Sequence, residues 1–427
     1  MGLKIKNIHL FDPNNGIDEI GNLFIEKNKV VKKLKSSSAK EIDGKGLYLF
    51  PGFVDVHSHF REPGEEDAET IETGSRAAVK GGYTTVCVMP NTNPPIDNEG
   101  VVRFIKEKSK KVGLCRVFPV GAVTKGRKGK ELAEMTHLYE AGCVAFSDDG
   151  FCVLNSSLMR NALEYSKLLD VPIIDHPEDF ILSNKGQMNE GPVSTELGFK
   201  GIPDISESTI VARDILISKF TGGRLHLAHI STADSVKLIK DWKNDTVTAE
   251  VTPHHLLLTD EEVKSFDSNK KMKPPLRTKY DVKVLQKAIK EGVINLIATD
   301  HAPHPDYKKE IQFAGAAFGV IGLETTFSVL YTELVKKDKL SLKRLIEVMS
   351  LEPSRIFKLP RGEIKEGSVA DFTLVDLKKS WTVNTDDFVS KSENSSFLGC
   401  KLDGIVEYCI VNGKIVYKNR GFSSLKK

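Results

Sequence analysis

Eight short apolar runs, separated by longer amphipathic segments, constrain the fold of this chain more than any other feature. The runs occupy residues 50–56, 83–89, 114–120, 143–146, 171–174, 224–227, 246–251 and 295–298. Helical spacing of apolar residues appears between them, in residues 70–80, 129–140, 206–220, 232–242 and 279–290. Strands that alternate with helices are typical of a parallel sheet, and eight such units are the number that closes a barrel. We therefore predict an α/β fold with a (β/α)8 TIM-type barrel over residues 51–360.

Both ends of the chain have a different pattern from the middle. Residues 1–50 alternate polar and apolar side chains around turn clusters and show no helical period. Strand-like composition returns after residue 361, where Asn412-Gly413 separates two short apolar runs as in a two-residue hairpin. We expect residues 1–50 and 361–427 to form one small β-sandwich domain.

Charge and composition exclude several classes of partner. Lys and Arg number 61 against 58 Asp and Glu, and a formal net charge of +3 is too small to predict binding to nucleic acid. No run of 18 apolar residues predicts a membrane span, and the first residues lack the apolar core of a secretion signal. The six cysteines include no CxxC pair, so we expect reduced thiols and a cytoplasmic protein.

Side chains of the types that bind metals recur where the predicted strands end. In chain order they are His57, His59, Asp148, Asp149, His176, His229 and Asp300. Each is weak evidence alone: a His-x-His pair arises by chance, Asp-Asp-Gly is a common turn, and a single histidine is often structural. The joint pattern is stronger, because the carboxyl ends of barrel strands converge on one mouth. We therefore predict that these side chains share one site.

The number and chemistry of these ligands indicate the reaction. Imidazole and carboxylate together suit Zn²⁺ and its neighbours. Four histidines and two aspartates exceed the needs of one ion, so the pattern favours two ions about 3.5–4 Å apart that lower the pKa of a bridging water. We expect hydrolysis, or its reverse, at a carbonyl or phosphoryl centre.

Three polar residues near the same strand ends predict a small anionic substrate. Arg61 lies two residues after His59, where a guanidinium could hold a carboxylate through two hydrogen bonds. Asn91 follows the second strand and His304 follows the eighth. The alternative for Arg61 is a surface salt bridge with one of the nearby glutamates.

Four segments resemble the motifs of dihydroorotases. They are PGFVDVHSHFREPG (51–64), MPNTNPP (89–95), DHAPH (300–304) and FGVIGLE (318–324). The resemblance runs in order from about residue 45 to the end of the chain, and residues 367–372 are similar to the closing β domain of the amidohydrolase superfamily. The motifs are specific as a set.

This resemblance implies a zinc-dependent cyclic amidohydrolase that interconverts N-carbamoyl-L-aspartate and L-dihydroorotate in de novo pyrimidine (UMP) biosynthesis. His57, His59 and Asp300 would bind one zinc ion, and His176 and His229 the second. Asp149 and a hydroxide would bridge the two ions, and Asp300 would also be the catalytic acid and base.

The bridging residue separates the class I subgroup from other relatives. Many relatives bridge their metals with a carboxylated lysine, but residues 145–150 contain no lysine. The chain therefore resembles the subgroup with an aspartate bridge. Motif position favours Asp149 over Asp148, and the choice between them stays open in the sequence.

The resemblance also implies the substrate contacts. His59, Arg61, Asn91 and His304 would bind the substrate, and the backbone of Phe318 and Gly319 would contact its ring. One departure concerns Lys273, which stands where the family often has an asparagine contact. It is a weaker candidate, which either contacts the substrate differently or points to solvent.

Two other functions remain as alternatives. Hydantoinases, dihydropyrimidinases and allantoinases share the His-x-His motif, but Arg61 and the missing lysine favour a dihydroorotase. A non-catalytic scaffold partner of aspartate transcarbamoylase would be expected to lose metal ligands, and here all six are present. The resemblance further implies a homodimer and allows a complex with aspartate transcarbamoylase.

Overall fold

The computed structural model describes residues 2–35, 38–242, 245–419 and 421–422. The strands are β1 (Gly2–Asp12), β2 (Ile17–Glu26), β3 (Lys29–Val31), β4 (Ala39–Asp43), β5 (Tyr48–Pro51), β6 (Phe53–Ser58), β7 (Tyr83–Val88), β8 (Arg116–Pro119), β9 (Phe146–Ser147), β10 (Ile173–Asp175), β11 (Met188–Asn189), β12 (Gly201–Ile202), β13 (Leu225–Leu227), β14 (Val247–Val251), β15 (Leu296–Ile297), β16 (Phe372–Thr382), β17 (Lys401–Val411), β18 (Lys414–Lys418) and β19 (Gly421–Phe422). The α-helices are α1 (Ile71–Lys80), α2 (Glu99–Val112), α3 (Met135–Ala141), α4 (Ser156–Leu169), α5 (Phe180–Ser183), α6 (Pro192–Leu197), α7 (Ile205–Thr221), α8 (Ala233–Trp242), α9 (Pro253–Leu257), α10 (Lys279–Glu291), α11 (Asp306–Lys309), α12 (Thr326–Leu330), α13 (Leu342–Ile346) and α14 (Glu352–Phe357).

Strands from both ends of the chain form one mixed sheet of nine strands. Its order is β19-β18-β17-β16-β5-β1-β2-β3, with β4 paired to β1. The antiparallel pair β5–β16 joins the N-terminal strands to the C-terminal ones. The predicted hairpin is present between β17 and β18, where Asn412 and Gly413 both have positive φ, as a two-residue turn of this type requires. Met1, residues 36–37, residue 420 and residues 423–427 of the expected small domain lie outside the described residues.

Eight parallel strands form the centre of the molecule. One sheet has the order β6-β7-β8 and the other β15-β14-β13-β10-β9. Two isolated parallel bridges, Gly121–Phe146 and Ser58–His301, connect these sheets at both of their edges. All eight predicted apolar runs overlap one of these strands, except that Phe50 in the first run belongs to β5 of the nine-stranded sheet.

Most of the predicted helices are present, and one is shorter than expected. Helices α1, α7, α8 and α10 agree with the sequence pattern within two residues at each end. The helix predicted over 129–140 begins only at Met135, because the residues before it form a loop attached to the neighbouring strand ends. Asp148 accepts hydrogen bonds from the backbone N–H groups of Val123 and Thr124 at 3.0 Å, which secures the start of this loop.

Side chains fill the space inside the eight parallel strands. Val54, Val56, Cys87 and Met89 belong to one buried cluster there, together with Phe357 of α14. The interior is therefore a packed core, and polar groups are concentrated where the strands end. The predicted thiols are unpaired, and Cys400 is the exposed one among the six. No helix within the described ranges combines the length and apolar character needed to cross a bilayer.

Phe53 joins the parallel strands to the nine-stranded sheet, which predicts a large effect of its removal. Its fully buried ring stacks on Phe50 of β5 at 6.4 Å and on Phe327 of α12 at 5.3 Å, and it meets the edge of Tyr83 in β7 at 5.8 Å. We expect Phe53→Ala to lower the free energy of unfolding by about 3–5 kcal/mol in chemical denaturation, because it leaves a cavity. The control Phe220→Ala removes a ring that is 72% exposed and should cost less than about 1 kcal/mol. Equal losses would contradict this role of Phe53.

Candidate functional site

The carboxyl ends of the parallel strands bring the predicted metal ligands together. His57 lies in β6 and His59 just after it, and the others directly follow β9, β10, β13 and β15. All six side chains are buried: His57, His59, Asp149, His176, His229 and Asp300. Residues separated by up to 243 positions in the chain thus share one small volume. The strand-end rule of parallel barrels accounts for this convergence.

Asp149 lies at the centre of the cluster. Its Oδ1 is 3.3 Å from His57 Nε2, 3.6 Å from His176 Nδ1 and 3.8 Å from His229 Nε2. Its Oδ2 is 3.6 Å from His59 Nε2. Each oxygen of this carboxylate therefore faces a different set of imidazoles, which is the arrangement that a ligand shared by two cations needs.

Asp300 contacts the other side of the cluster. Its Oδ1 is 3.1 Å from His59 Nε2 and 3.6 Å from His57 Nε2. Ligand atoms of His57, His59 and Asp300 form one group within 4.8 Å of one another, and those of His57, Asp149 and His229 form a second. Two overlapping groups of this kind could hold two metal ions side by side.

Several buried polar atoms of this cluster lack hydrogen-bond partners. They include His57 Nε2, Asp149 Oδ1, His176 Nδ1 and His229 Nδ1. Leaving a buried polar atom unpaired costs about 1–3 kcal/mol, so such atoms are rare and require an explanation. Their concentration at one place, with nitrogen and carboxylate oxygen as donors, fits a site for divalent cations such as zinc.

The electrostatics of the site favour ionised carboxylates. Burial by itself would raise the pKa of Asp149, but the charge of His57 and the neighbouring imidazoles of His176 and His229 bring it well below its usual value. Burial is likewise outweighed at Asp300, whose pKa is lowered by the adjacent His59 imidazole and the charge of His57. Both carboxylates are therefore charged at neutral pH and able to act as ligands.

The adjacent Asp148 has a different environment. Its carboxylate is turned toward the backbone N–H groups and the hydroxyl of the loop at Val123 and Thr124. The sequence left Asp148 open as the shared ligand. In the structure, the carboxylate oxygens of Asp148 already accept hydrogen bonds from this loop. Asp149 is the one of the two that faces the histidines.

Two glutamates without a predicted role orient the histidines. Glu250, fully buried in β14, accepts from His57 Nδ1 at 2.6 Å and from His226 Nε2 at 3.0 Å. Glu178 accepts from His176 Nε2 at 3.1 Å. Carboxylates in this position fix the ring orientation and tautomer of metal-binding histidines. The sequence offered one signal for this role: Glu250 is a charged residue within the apolar run 246–251.

The predicted substrate residues border a cavity of about 200 Å³ beside this cluster. Its lining includes Arg61, Asn91, Lys273, His304, Phe318 and Gly319, together with five of the six predicted metal ligands: His59, Asp149, His176, His229 and Asp300. Arg61 is buried, and its Nε donates to Pro303 O at 3.1 Å, while the nearest carboxylate oxygen, on Glu65, is 4.0 Å away. The ion pair considered for Arg61 is therefore present as a long contact with Glu65, but the guanidinium is buried rather than at the surface.

Neutral donors and acceptors accompany this guanidinium. His59 Nδ1 donates to Asn91 Oδ1 at 2.9 Å, which links a cavity residue to the metal cluster. His304 Nε2 donates to Phe318 O at 2.8 Å. Burial and the charge of Arg61 lower the pKa of His304 to about 2, so this imidazole is neutral at physiological pH.

Lys273 does not point freely into solvent. Its Nζ is 2.9 Å from Glu178 Oε1 and lies 4.9 Å from the centre of the Phe180 ring. The lysine that replaces the family's usual asparagine thus forms an ion pair with the carboxylate that orients His176.

Comparisons with known proteins agree with this geometry. A sequence model of the family described as dihydro-orotase-like matches residues 46–235. The dihydroorotase of Endomicrobium trichonymphae is 47% identical over 421 residues, covering 98% of this chain and 100% of the relative. The dihydroorotase of Thermoanaerobacter sp. (strain X514) is 49% identical, with 91% and 90% covered. Among solved structures, L-hydantoinase from Arthrobacter aurescens has a TM-score of 0.88 at 24% identity, covering 99% of this chain and 97% of its own.

The family model and these relatives define a hydrolase of the amidohydrolase class, and the cluster of histidines and aspartates could hold metal ions. Within this class, the two dihydroorotases that are 47% and 49% identical over 98% and 91% of the chain identify the family. The chain belongs to the dihydroorotase family.

The role of Glu250 behind His57 predicts an effect on metal affinity. We expect Glu250→Gln to weaken metal binding about 10–100-fold, because the amide removes the negative charge that orients two imidazoles. Competition with a chromogenic chelator measures this affinity. Glu131→Gln, at a side chain that is 68% exposed, is the matched control and should bind metal as the unaltered chain does. Unchanged affinity in Glu250→Gln would exclude this orienting role.

Proposed function

We propose that this protein is a zinc-dependent dihydroorotase that catalyses the reversible cyclisation of N-carbamoyl-L-aspartate to L-dihydroorotate in pyrimidine biosynthesis. The observation that carries the proposal is the buried guanidinium of Arg61 in the same small cavity as the histidine and aspartate cluster. An anion-binding group beside ligands for a Lewis acid suits a small carboxylate-bearing cyclic amide. Membership in the dihydroorotase family supports the same substrate.

We propose the finer architecture on the same basis. The two isolated bridges between the parallel sheets support a closed (β/α)8 barrel over residues 51–360. The mixed nine-stranded sheet, with strands from both chain ends, supports a small β domain made of residues 1–50 and 361–427, and its sandwich form is part of the proposal. In this arrangement the active site lies at the barrel mouth.

The proposed cofactor is a pair of zinc ions with Asp149 as the shared ligand. One ion would be held by His57, His59 and Asp300, and the other by His176 and His229. When bound, the pair supplies a Lewis acid for the amide carbonyl and lowers the pKa of water to near neutrality. The unpaired atoms at His57, Asp149 and His176 support this assignment.

Asp300 is the proposed catalytic acid and base. In ring opening, its carboxylate takes a proton from the attacking water and delivers it to the ring nitrogen as the carbon–nitrogen bond breaks. In cyclisation, it removes the proton from the ureido nitrogen that attacks the side-chain carboxylate carbon, with loss of water. The contact of 3.1 Å with His59 Nε2 orients the carboxylate toward the cavity for both directions.

The residues around Arg61 are proposed to bind the substrate carboxylate. Arg61 can offer its terminal N–H groups to a bidentate contact, since Pro303 O takes only its Nε. Asn91 adds a neutral donor at the same wall, the uncharged imidazole of His304 completes that wall, and His59 lies between it and the metal ligands. The backbone of residues 318–319 would contact the ring from the opposite side.

Lys273 is proposed as a further cation at the substrate cavity. Its ion pair with Glu178 neutralises a carboxylate that would otherwise repel an anionic substrate. Its exposed fraction of 26% leaves part of the side chain open to the cavity.

We propose that the protein acts in the cytoplasm on N-carbamoyl-L-aspartate and L-dihydroorotate. Neither nucleic acid nor a membrane is a proposed partner. A homodimer and a complex with aspartate transcarbamoylase are further proposals from the family resemblance. A hydantoinase-type activity is the second candidate, favoured by the solved structures that share the fold.

A substrate panel tests the function directly. Purified, zinc-loaded protein is given L-dihydroorotate, hydantoin, dihydrouracil and allantoin, and ring opening is followed by ultraviolet absorbance. Selective opening of L-dihydroorotate is the expected result. Preference for hydantoin or dihydrouracil would replace the proposal with the second candidate, and no turnover with full zinc would favour a scaffold role.

Loss of Asp300 should abolish proton transfer. We expect Asp300→Ala to lower kcat by about 10²–10⁴-fold, while most of the metal stays bound to the remaining ligands. Metal content by atomic emission and ring-opening kinetics measure both effects. Asp306→Ala, an exposed aspartate six positions later, should leave both unchanged. Normal turnover by Asp300→Ala would refute the assignment.

Loss of Arg61 should weaken substrate binding. We expect Arg61→Ala to raise KM about 10–100-fold, the size of a lost hydrogen bond between charged groups, with a smaller change in kcat. Arg160→Ala serves as control, because this arginine is 52% exposed and pairs with Glu164 on the outside of α4. A KM within about twofold of the unaltered value in Arg61→Ala would remove this residue from the site.

A further inference from the structure

A segment between two strands of the nine-stranded sheet reaches the mouth of the parallel strands. Residues 389–397, called the 389–397 segment below, lie between β16 and β17. Lys391 N and Ser390 Oγ donate to Glu69, next to the first turn of α1, and Ser392 Oγ donates to Ala68 O at 2.7 Å. Ser390, Ser392, Asn394, Ser395 and Ser396 of this segment are buried, which shows that it is packed in place rather than loosely attached.

Asn394 of this segment joins the two loops that border the substrate cavity. Its Nδ2 donates to Ala302 O at 3.2 Å and to Gly319 O at 3.1 Å. Its Oδ1 accepts from the backbone N–H of His304 at 3.2 Å. Both amide hydrogens and the amide oxygen are therefore used, and the side chain is 5% exposed. A carboxylate could not supply the two donors, and a hydroxyl is too short to reach both loops.

Gly319 is held in place from the side opposite to Asn394 as well. Its carbonyl also accepts from Lys309 Nζ at 3.0 Å, and its N–H donates to Lys271 O at 3.0 Å. Its φ of +124° and the position of Ala302, whose Cβ would lie 2.7 Å from an added Cβ, require a glycine here. The two loops are also bonded directly, by Ala302 N–H to Val320 O at 2.9 Å and by His304 Nε2 to Phe318 O at 2.8 Å, and the Asn394 amide adds three further bonds between them.

Asp300 has supports that do not involve Asn394. Thr299 N and Oγ1 donate to Asp55 at 2.9 and 2.7 Å. His301 Nε2 donates to Glu69 at 3.3 Å, and His301 Nδ1 accepts from Gly322 N at 3.2 Å. Loss of Asn394 would therefore displace the cavity wall while the proposed acid and base stays in place.

We infer that Asn394 is a positioning residue that holds the loops of His304 and Gly319 at the spacing that substrate binding needs. This inference rests on the proposed function for its link to substrate, whereas the linkage of the two loops stands on the hydrogen bonds alone. A displacement of about 1 Å at a binding wall is enough to reduce catalysis strongly.

Two substitutions at one position separate hydrogen bonding from packing. Asn394→Asp keeps the volume but directs a carboxylate at two carbonyl oxygens, and Asn394→Ala removes the contacts without repulsion. We expect KM for L-dihydroorotate to rise about tenfold in Asn394→Ala and further in Asn394→Asp, with kcat changed less than about threefold. Ser396→Ala, in the same segment, removes a bond to Asn269 O and should leave KM unchanged.

The order of KM in the two variants distinguishes these roles. A role in packing alone would place the aspartate variant, which has the same volume, closer to the unaltered protein than the alanine variant. That order, or an unchanged KM in both variants, would overturn the inference. Asn394→Ser replaces the alanine variant if the latter does not fold.

Hydrogen exchange tests the linkage without any turnover. We expect faster amide exchange at residues 302–304 and 319–321 in Asn394→Ala than in Ser396→Ala, since His304 N–H loses its acceptor. If the unaltered chain opens no L-dihydroorotate, the proposed function fails and the exchange rates alone decide on Asn394. Equal exchange in the two variants would show that Asn394 does not hold the loops.

Discussion

The carboxylate of Asp149, buried among four histidines, is the interaction on which the rest of the site depends. Taking a carboxylate out of water costs several kcal/mol unless positive charge compensates for it. Here ring nitrogens of His57, His59, His176 and His229 lie 3.3–3.8 Å away, and the cations that this cluster could hold would supply the compensating charge. These side chains come from different parallel strands or strand ends, so the charge balance requires the strands to converge. The metal cluster can therefore form only if the parallel strands converge correctly.

Carboxylates and backbone carbonyls around the cluster restrict its geometry further. Glu250 orients His57, and Glu178 joins His176 to Lys273. In surroundings of low dielectric constant such bonds are strong, and each leaves its histidine with one ring nitrogen directed at the centre. The 389–397 segment restricts the geometry of the cavity wall in a similar way, because Asn394 is hydrogen-bonded to both loops that form it. The sheet formed by the chain ends is thereby connected to the site as well as to the outside of the strands.

Much of the fold could be predicted because its signals are local. Buried parallel strands are continuous apolar runs, and the eight runs overlap the eight observed strands. The prediction of a helix over 129–140 was wrong in its first half, since Asp148, which is distant in sequence, holds the loop around Thr124. Asn394 had no local signal at all: the carbonyls it contacts are 92 and 75 positions away.

The sequence by itself determined the alternation of strands and helices, the types of ligand at the strand ends and the family to which the chain belongs. These properties follow from short-range periodicity and from motifs, which need no knowledge of what packs against them. Only the tertiary structure decided that Asp149 rather than Asp148 faces the histidines, that Lys273 pairs with Glu178, and that Asn394 joins two loops. Those contacts depend on how the strands meet, because this decides which polar groups lie within hydrogen-bonding distance of one another. Groups from distant segments become neighbours only when the chain is folded.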